Sequence, residues 1–366
     1  MVNSVSLHNF KCFKERSVSL AQISLFTGLN SAGKSTVLQA LLLLRQSYMQ
    51  QSLPKRGLLL NGPLLNLGTS EGILNRAADE DRIGVSVTSD GEQVAWVFEY
   101  KGPNEDLLNV ITEPPNYDTI SFLNAPFQYI SAERIGPRPV YEHSSYNVQT
   151  MGHIGPDGRY AVAFLESRAL ERVSAEMRHA AATDESLFSQ VTAWLGEISP
   201  GVRLEISVKP GASSVQLRVG FTPALAEAID YFDPRNVGFG VSYSLSVLVA
   251  VLSMPPGGLV VIENPEAHLH SRGQVAMGTL FARAAKSGVQ VLVETHSDHF
   301  LNGVRLAVKD KILTPDSVSI NFFRRDPSKV AIYEVETPRI DQNGRIDQWP
   351  GDFFDQWDKS LDRLLD

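Results

Sequence analysis

Apolar and polar residues alternate near the start of the chain, Val5 and Leu7 against Ser4, Ser6 and His8, and this predicts a half-buried strand. A second strand is expected at Ser17 to Leu20, and the apolar run Ile23 to Thr27 reads as a third, buried one. It leads through a glycine-bearing turn, Gly28 to Gly33, into an apolar helix from about Ser35 to Arg45. Ile83 to Thr88 and Gln93 to Tyr100 alternate on either side of Asp90-Gly91, which predicts a hairpin with a tight primed turn. Glu113-Pro114-Pro115-Asn116 then breaks the chain.

From about Arg159 to Ile198 the pattern is helical and charge-laced, with Glu166, Arg168, Glu171, Arg172, Glu176 and Arg178 followed by Leu187, Val191 and Leu195 at helical spacing. Strands are expected at Arg203 to Val208 and Ser214 to Val219. A helix from Val241 to about Met254, a strand Leu259 to Ile262, a helix Arg272 to Lys286 and a strand Val289 to Glu294 follow. Such alternation predicts a parallel sheet covered by helices. The tail reads as strands Val318 to Phe323 and Ala331 to Val335, a loop, and a helix near Asp352 to Leu365 with Phe353, Trp357, Leu361 and Leu364 on one stripe.

At 366 residues the chain exceeds the size at which one hydrophobic core keeps growing, so two lobes or a domain with an insert is expected. A hydrophobic fraction of 43% with 20% charged residues excludes global disorder. The apolar run Ala40 to Leu44 is far short of the roughly 20 residues of a membrane span, and Met1-Val2-Asn3-Ser4 lacks a secretory start. The expectation is a cytoplasmic protein with no membrane partner. Cys12 is the single cysteine, so there is no internal disulfide and no cysteine metal cage. A net charge of −8 argues against the broad positive field of unassisted nucleic-acid binding, though a local basic groove stays open.

Gly28-Leu29-Asn30-Ser31-Ala32-Gly33-Lys34-Ser35 is a complete G-x-x-x-x-G-K-S match lying after a buried strand and before a helix. Glycines let backbone N–H groups curl around phosphate oxygens, and a helix N-terminus adds its positive dipole end. Lys34 would reach the β- and γ-phosphates and the Ser35 hydroxyl would ligate Mg²⁺. Leu259 to Ile262 ends in Glu263, either the acid a nucleotide's metal needs or a strand running into a solvated turn.

These residues resemble a family. Gly28 to Ser35, Ile262 to His270 and Val293-Glu294-Thr295-His296-Ser297 look like the Walker A, the Walker B with its D-loop, and the switch histidine of ABC-type ATPase heads. The resemblance is greatest to small stand-alone prokaryotic AAA-type ATPases of the group around the OLD, RecF and SMC proteins. Leu7 to Lys14 is similar to that group's first strand, and the likeness covers both ends of the chain better than the middle. It implies an α/β P-loop NTPase of ABC-ATPase-head type, a mixed and parallel sheet with helices, an antiparallel β subdomain and a short helical insert. Residues 1–139 and 223–366 would form the head, and 140–222 a helical and β-hairpin insert.

In such heads two subunits clamp ATP, each offering a signature loop to the other's nucleotide. Asn236 to Ser244 lies at the corresponding place without the standard sequence, so Ser242 is either a trans contact or a plain helix cap. The resemblance then implies that Asn30, Gly33, Lys34, Ser35 and Thr36 bind ATP, that Ser35 and Glu263 hold Mg²⁺, and that Glu263, Glu266 and His296 are catalytic. Two departures bear on hydrolysis. Glu263 stands where most heads have Asp, and Asn264 stands where the catalytic Glu usually follows, leaving Glu266 as the substitute base or turnover slow. His268, His270, His296, Asp298 and His299 also admit a transition-metal reading. Ser131 to Arg138 looks like a recurring block of the small OLD-like ATPases, where Arg134 and Arg138 either meet phosphate or nucleic acid or lie in a solvated loop pairing with Glu133.

The helical stretch is about forty residues with no sustained heptad, too short for a chromosome-organising rod. The roughly 70 residues after His296 have no room for a complete Toprim nuclease. The expected function is therefore a regulatory ATPase that forms a homodimer or higher oligomer through ATP and controls a separate effector, a nuclease, in antiphage defence. The alternative is a RecF-like DNA-repair or recombination ATPase that clamps DNA, and a transporter ATPase subunit ranks third.

Overall fold

The computed structural model describes the chain except residues 209–210, 212, 223–228, 326–332 and 366, with residues 356–358 described by backbone alone. In chain order the first strands are β1 (Val2–Phe10), β2 (Phe13–Ser19) and β3 (Ile23–Gly28), then helix α1 (Lys34–Met49). Next come β4 (Gly57–Leu59), β5 (Arg82–Ser89), β6 (Glu92–Glu99), β7 (Leu107–Thr112), α2 (Ser121–Asn124), β8 (Phe127–Ile130) and β9 (Val140–Glu142). The middle holds α3 (Ala161–Ser167), α4 (Leu187–Ile198), β10 (Val202–Val208), β11 (Ser214–Phe221) and β12 (Asp230–Phe232). The remainder is α5 (Phe239–Leu252), β13 (Leu259–Glu263), α6 (Ser271–Lys286), β14 (Gln290–Glu294), α7 (Asp298–Lys309), β15 (Val318–Arg325), β16 (Tyr333–Glu336) and α8 (Gln356–Leu365). No helix among the described residues is long and apolar enough to cross a membrane.

Two compact units emerge. The first is Met1–Ala125 with Pro315–Asp341 and Arg345–Asp366, and the second is Pro126–Thr314 with Gln342–Gly344.

In the first unit, an antiparallel sheet runs in the order β2-β1-β5-β6-β7-β4. Its inward face carries Val5, Leu7, Val85, Trp96 and Phe98, all buried, as period-two alternation requires. The β5–β6 hairpin turns at Asp90 (φ 53°) and Gly91 (φ 86°), the two left-handed residues of the expected primed turn. β3 pairs parallel with β15, which pairs antiparallel with β16.

In the second unit, β13 lies between β8 and β14 in parallel register. β13 is buried through Ile262 and β14 throughout, which suits strands covered on both faces. A separate antiparallel group places β11 between β10 and β12, with β9 also pairing β11.

Several expectations are corrected. The charge-laced stretch 159–198 is not one helical run: α3 stops at Ser167, a 3₁₀ turn covers Ala175–Met177, and α4 starts at Leu187. The chain between them folds back on itself, Val173 N–H donating to Glu185 O and Leu187 N–H to Glu171 O. Its charges pair across that fold, Arg172 and Arg178 both with Glu185, rather than along a helix.

Helix α7 was not expected, although its signals are in the sequence: the Ser297 hydroxyl caps Phe300 N–H at 2.9 Å, and Phe300, Leu301, Val304, Ala307 and Val308 form its buried face. At the tail, residues 331–332 and the Trp357 side chain lie outside the described residues. Phe353 precedes α8 and packs on Phe322 of β15, whereas Leu361 and Leu364 are exposed.

Helices α6 and α7 meet through two glycines. A Cβ on Gly278 would lie 2.2 Å from Phe300 O, and one on Gly303 2.3 Å from Val275 O. Because both obstacles are backbone, neither helix can yield by a rotamer change. Gly303→Val is therefore expected to cost about 2–3 kcal/mol in urea unfolding, while Leu306→Ala on the exposed side of α7 stays within about 0.5 kcal/mol. Equal midpoints for the two variants would contradict this packing.

Candidate functional site

The first unit holds the phosphate-loop candidate. β3 ends at Gly28 (φ 133°), so close to β15 that a Cβ would fall 1.9 Å from Phe323 O. Ser31 is left-handed (φ 61°), and Gly33 (φ 99°) leaves no room for a Cβ against Phe13 and Cys12. The turn therefore closes tightly enough for α1 to begin at Lys34. Lys34 is 4% exposed, and its ammonium curls back to donate to Gly28 O at 3.1 Å and Leu29 O at 2.8 Å. Asn30 is exposed, Ser35 half-buried, and Thr36 buried with its hydroxyl 3.6 Å from the Cys12 thiol. A positively charged helix start with no acid in its first turn, fronted by a lysine bent over a glycine loop, fits a polyphosphate.

The second unit gathers the candidate carboxylates at the ends of its parallel strands. Glu263 stands in register with Glu294 on β14. The Glu263 carboxylate accepts from the Tyr129 hydroxyl of β8 at 2.9 Å and from Ala132 N–H at 3.1 Å. Asn264 turns left-handed (φ 46°), its N–H donating to Glu294 O at 2.8 Å, and Arg134 Nη2 donates to Asn264 O. Glu266 Oε1 accepts from His296 N–H at 2.7 Å. The buried atoms Glu266 Oε2, Asn264 Oδ1 and Arg134 Nε and Nη1 have no hydrogen-bond partner among the described residues.

Burial governs the electrostatics here. It pushes the Glu266 carboxyl above its ordinary range against the opposing His296 N–H, and it pushes Arg134 down to about 10, still charged at neutral pH. Burial and the neighbouring Glu263 raise the Tyr129 phenol, so it stays a donor. Chemically, Glu263 is a fixed carboxylate able to hold a hard cation directly or through water. Glu266 is a desolvated carboxylate of raised basicity with one oxygen unpartnered, the character of a general base.

Arg134 is thus not in a solvated loop pairing with Glu133; it is 5% exposed and bonded to the Asn264 turn. Tyr129 was missed because β8 is only four residues long and includes Gln128. Helix α5 starts at Phe239 behind Gly238, so the cap reading of Ser242 is corrected as well. Ser242 lies a turn inside and is 8% exposed, while Phe239 is 55% exposed. Phe239 and Tyr243 both pack on His268, with ring centroids 5.6 and 4.5 Å away. Among the described residues, no group of three or more His, Cys, Asp or Glu side chains is placed to hold a metal ion, the histidine-rich set included.

Residues 1–107 match a family model described as an AAA ATPase domain. Residues 195–302 match an AAA domain model whose description connects it with the AbiEii toxin of a Type IV TA system. Two separate segments of the chain are thus similar to AAA-type ATPase domains. Residues 313–364 match a model described as a protein of unknown function, DUF3696.

Among solved structures, the Smc head bound to the C-winged helix domain of ScpA is similar at 15% identity, covering 92% of this chain and 97% of that one with a TM-score of 0.50. The SMC head domain from Thermotoga maritima matches at 12% identity, 92% and 98% coverage and a TM-score of 0.43. The Pyrococcus furiosus Smc head with an extended coiled coil, bound to the C-terminal domain of ScpA, matches at 11%, 100% and 99%, and 0.48. The fold is that of a P-loop NTPase of the ABC-ATPase-head kind, as in SMC heads. No curated protein matches the chain.

Since burial raises the folded-state value of Glu266 above the unfolded one, the folded protein takes up this proton first as pH falls. Wild type is therefore expected to gain stability relative to Glu266→Gln between neutral pH and the ordinary glutamate value of about 4.3. Paired urea titrations over that range measure it, and a flat or opposite difference would show that Glu266 is not desolvated.

Proposed function

We propose that this chain is an ATP-binding and ATP-hydrolysing regulatory ATPase that dimerises around ATP and controls a separate effector protein, a nuclease, in prokaryotic antiphage defence. The observation that carries the nucleotide reading is the Lys34 ammonium held over the Gly28–Gly33 loop at the start of α1. In this reading Asn30, Gly33, Lys34, Ser35 and Thr36 bind the triphosphate, and Ser35 and Glu263 hold the magnesium ion. Magnesium in such a site neutralises charge across the β- and γ-phosphates. Glu266 takes the proton of the attacking water, the task that the amide of Asn264 cannot perform, and His296 senses the γ-phosphate.

The hold of Tyr129 and Ala132 on Glu263 supports a fixed metal carboxylate. The link between Glu266 and His296 N–H supports a base and a sensor that act together. In this reading Ser242, in the Asn236–Ser244 segment beside exposed Phe239, contacts the nucleotide held by the second copy. Residues 140–222 are the insert of a head built from 1–139 and 223–366.

The effector reading is supported by the toxin–antitoxin description of the AAA model on residues 195–302, and by an SMC head of this fold having a ScpA domain as its partner. In this reading the protein acts in the cytoplasm.

Lys34→Ala is expected to weaken ATP binding by about 10- to 100-fold with an unchanged melting temperature, measured by equilibrium titration and calorimetry. Unchanged affinity would remove the loop from the site. Glu266→Gln is expected to bind ATP and assemble as wild type does while phosphate release falls by about 100-fold or more. Unaltered turnover would remove Glu266 from the chemistry and leave the binding reading intact.

A further inference from the structure

We propose that Arg134 is the positioning residue of this site, fixing the Asn264 turn that presents Glu266 and tying that turn to the first turns of α5 through Tyr243. The inference rests on the reading of Glu266 as the base. A buried guanidinium is costly unless it is paired, and pairing normally means a carboxylate at contact distance. Arg134 is 5% exposed, yet its guanidinium donates to a main-chain carbonyl, Asn264 O, while Nε and Nη1 are buried without a hydrogen-bond partner among the described residues. It is anchored at a single prong, two residues from the candidate base.

Its surroundings give the anchor a direction. The left-handed backbone at Asn264 is an uncommon state for a residue other than glycine, and it needs neighbours to hold it. Asn264 N–H is held by Glu294 O and Asn264 O by Arg134, so the turn is gripped from both sides. Glu266, two residues on, is then delivered to His296 N–H. On its other side the Arg134 guanidinium carbon sits 5.6 Å from the centre of the Tyr243 ring. Tyr243 meets His268 edge-on at 4.5 Å and Phe239 at 6.2 Å, and a Cβ on Gly240 would come within 2.8 Å of His268 O.

An unbroken line of contacts therefore joins exposed Phe239 to the Asn264 turn, with Arg134 as the step from aromatic ring to backbone. Whatever covers Phe239, a second copy of this chain in the reading above, would act on Tyr243 and through Arg134 on the placement of Glu266. Spatial continuity alone does not establish coupling, so the test must read catalysis separately from binding.

With the full chain, Arg134→Ala is expected to lower kcat by about 100-fold, the effect of a misplacement near 1 Å, while ATP affinity and KM stay at wild-type values. Millimolar guanidinium added to that variant is expected to restore part of kcat, which a purely structural lesion would not allow. Should Arg134→Ala fail to fold, Arg134→Lys, which keeps the charge and loses the planar fork, carries the same kcat-against-KM readout. Tyr243→Leu is expected to lower kcat by about tenfold and Tyr243→Phe to leave it unchanged.

A wild-type kcat in the Arg134 variants, or kcat and affinity falling together with no response to guanidinium, overturns the inference. The two readings fail separately: wild-type turnover in Glu266→Gln ends the assignment of the base, whereas a dead Glu266→Gln beside a fully active Arg134→Ala ends only the positioning role.

Discussion

The constraint on which both candidate sites depend is that a parallel strand must turn out of its sheet within a few residues, and the side chains of that turn are the ones the sheet can present. Each unit meets it with left-handed backbone. In the first unit Gly28, Ser31 and Gly33 all have positive φ, and the approach of Gly28 to Phe323 O excludes any side chain at the point where β3 ends. In the second, Asn264 and His268 take the same region after β13 although neither is glycine, so other contacts must hold them there. The glycine turn shapes a hollow in the backbone, whereas the Asn264 turn aims a carboxylate.

This difference decides what could be read from the sequence. Where the backbone itself imposes the residue type, the reading was direct: the glycines and lysine of the loop, and the Asp90-Gly91 hairpin whose two turn residues are both left-handed. The AAA and head-type assignment rested on the family resemblance carried by Gly28–Ser35, Ile262–His270 and Val293–Ser297. Contacts made by strand pairing were invisible. Tyr129 reaches Glu263 across a sequence separation of 134 because β8 lies beside β13, and no local pattern announces that neighbour. For the same reason the sequence leaves Arg134 open between a phosphate or nucleic-acid contact and a solvated loop charge. The interrupted stretch between α3 and α4 was misread differently: its charges occur at helical spacing, but Glu185 draws Arg172 and Arg178 into a fold-back that buries Val173 and Met177.

Helix α7 is the instructive miss, because nothing hid it. The serine cap at Ser297 and the five-residue apolar face satisfy the ordinary signals of an amphipathic helix. Thr295-His296-Ser297 is at once a chemical motif and the start of a helix. One segment does both: Ser297 caps α7, and His296 N–H one residue earlier holds Glu266. The packing of α7 on α6 through Gly278 and Gly303 therefore also bears on where the His296 amide lies.

The buried cations reveal how the protein stores charge. Lys34, Arg45 and Arg134 are each less than 9% exposed, and each donates to main-chain carbonyl oxygens: Gly28 and Leu29 for Lys34, Phe122 and Ala125 for Arg45, Asn264 for Arg134. A carbonyl fixes the position of a cation, so these bonds set geometry. Arg45 uses both terminal nitrogens in this way and serves as a strut between α1 and the end of α2. Lys34 and Arg134 are anchored beside turns that carry candidate chemistry, and there a cation fixed in place has a use. At Lys34 it favours an anion over the loop, and at Arg134 its charge works against the upward push that burial exerts on the Glu266 carboxyl. In a chain of net charge −8, cations held on backbone at these two turns supply positive potential locally without an overall basic surface.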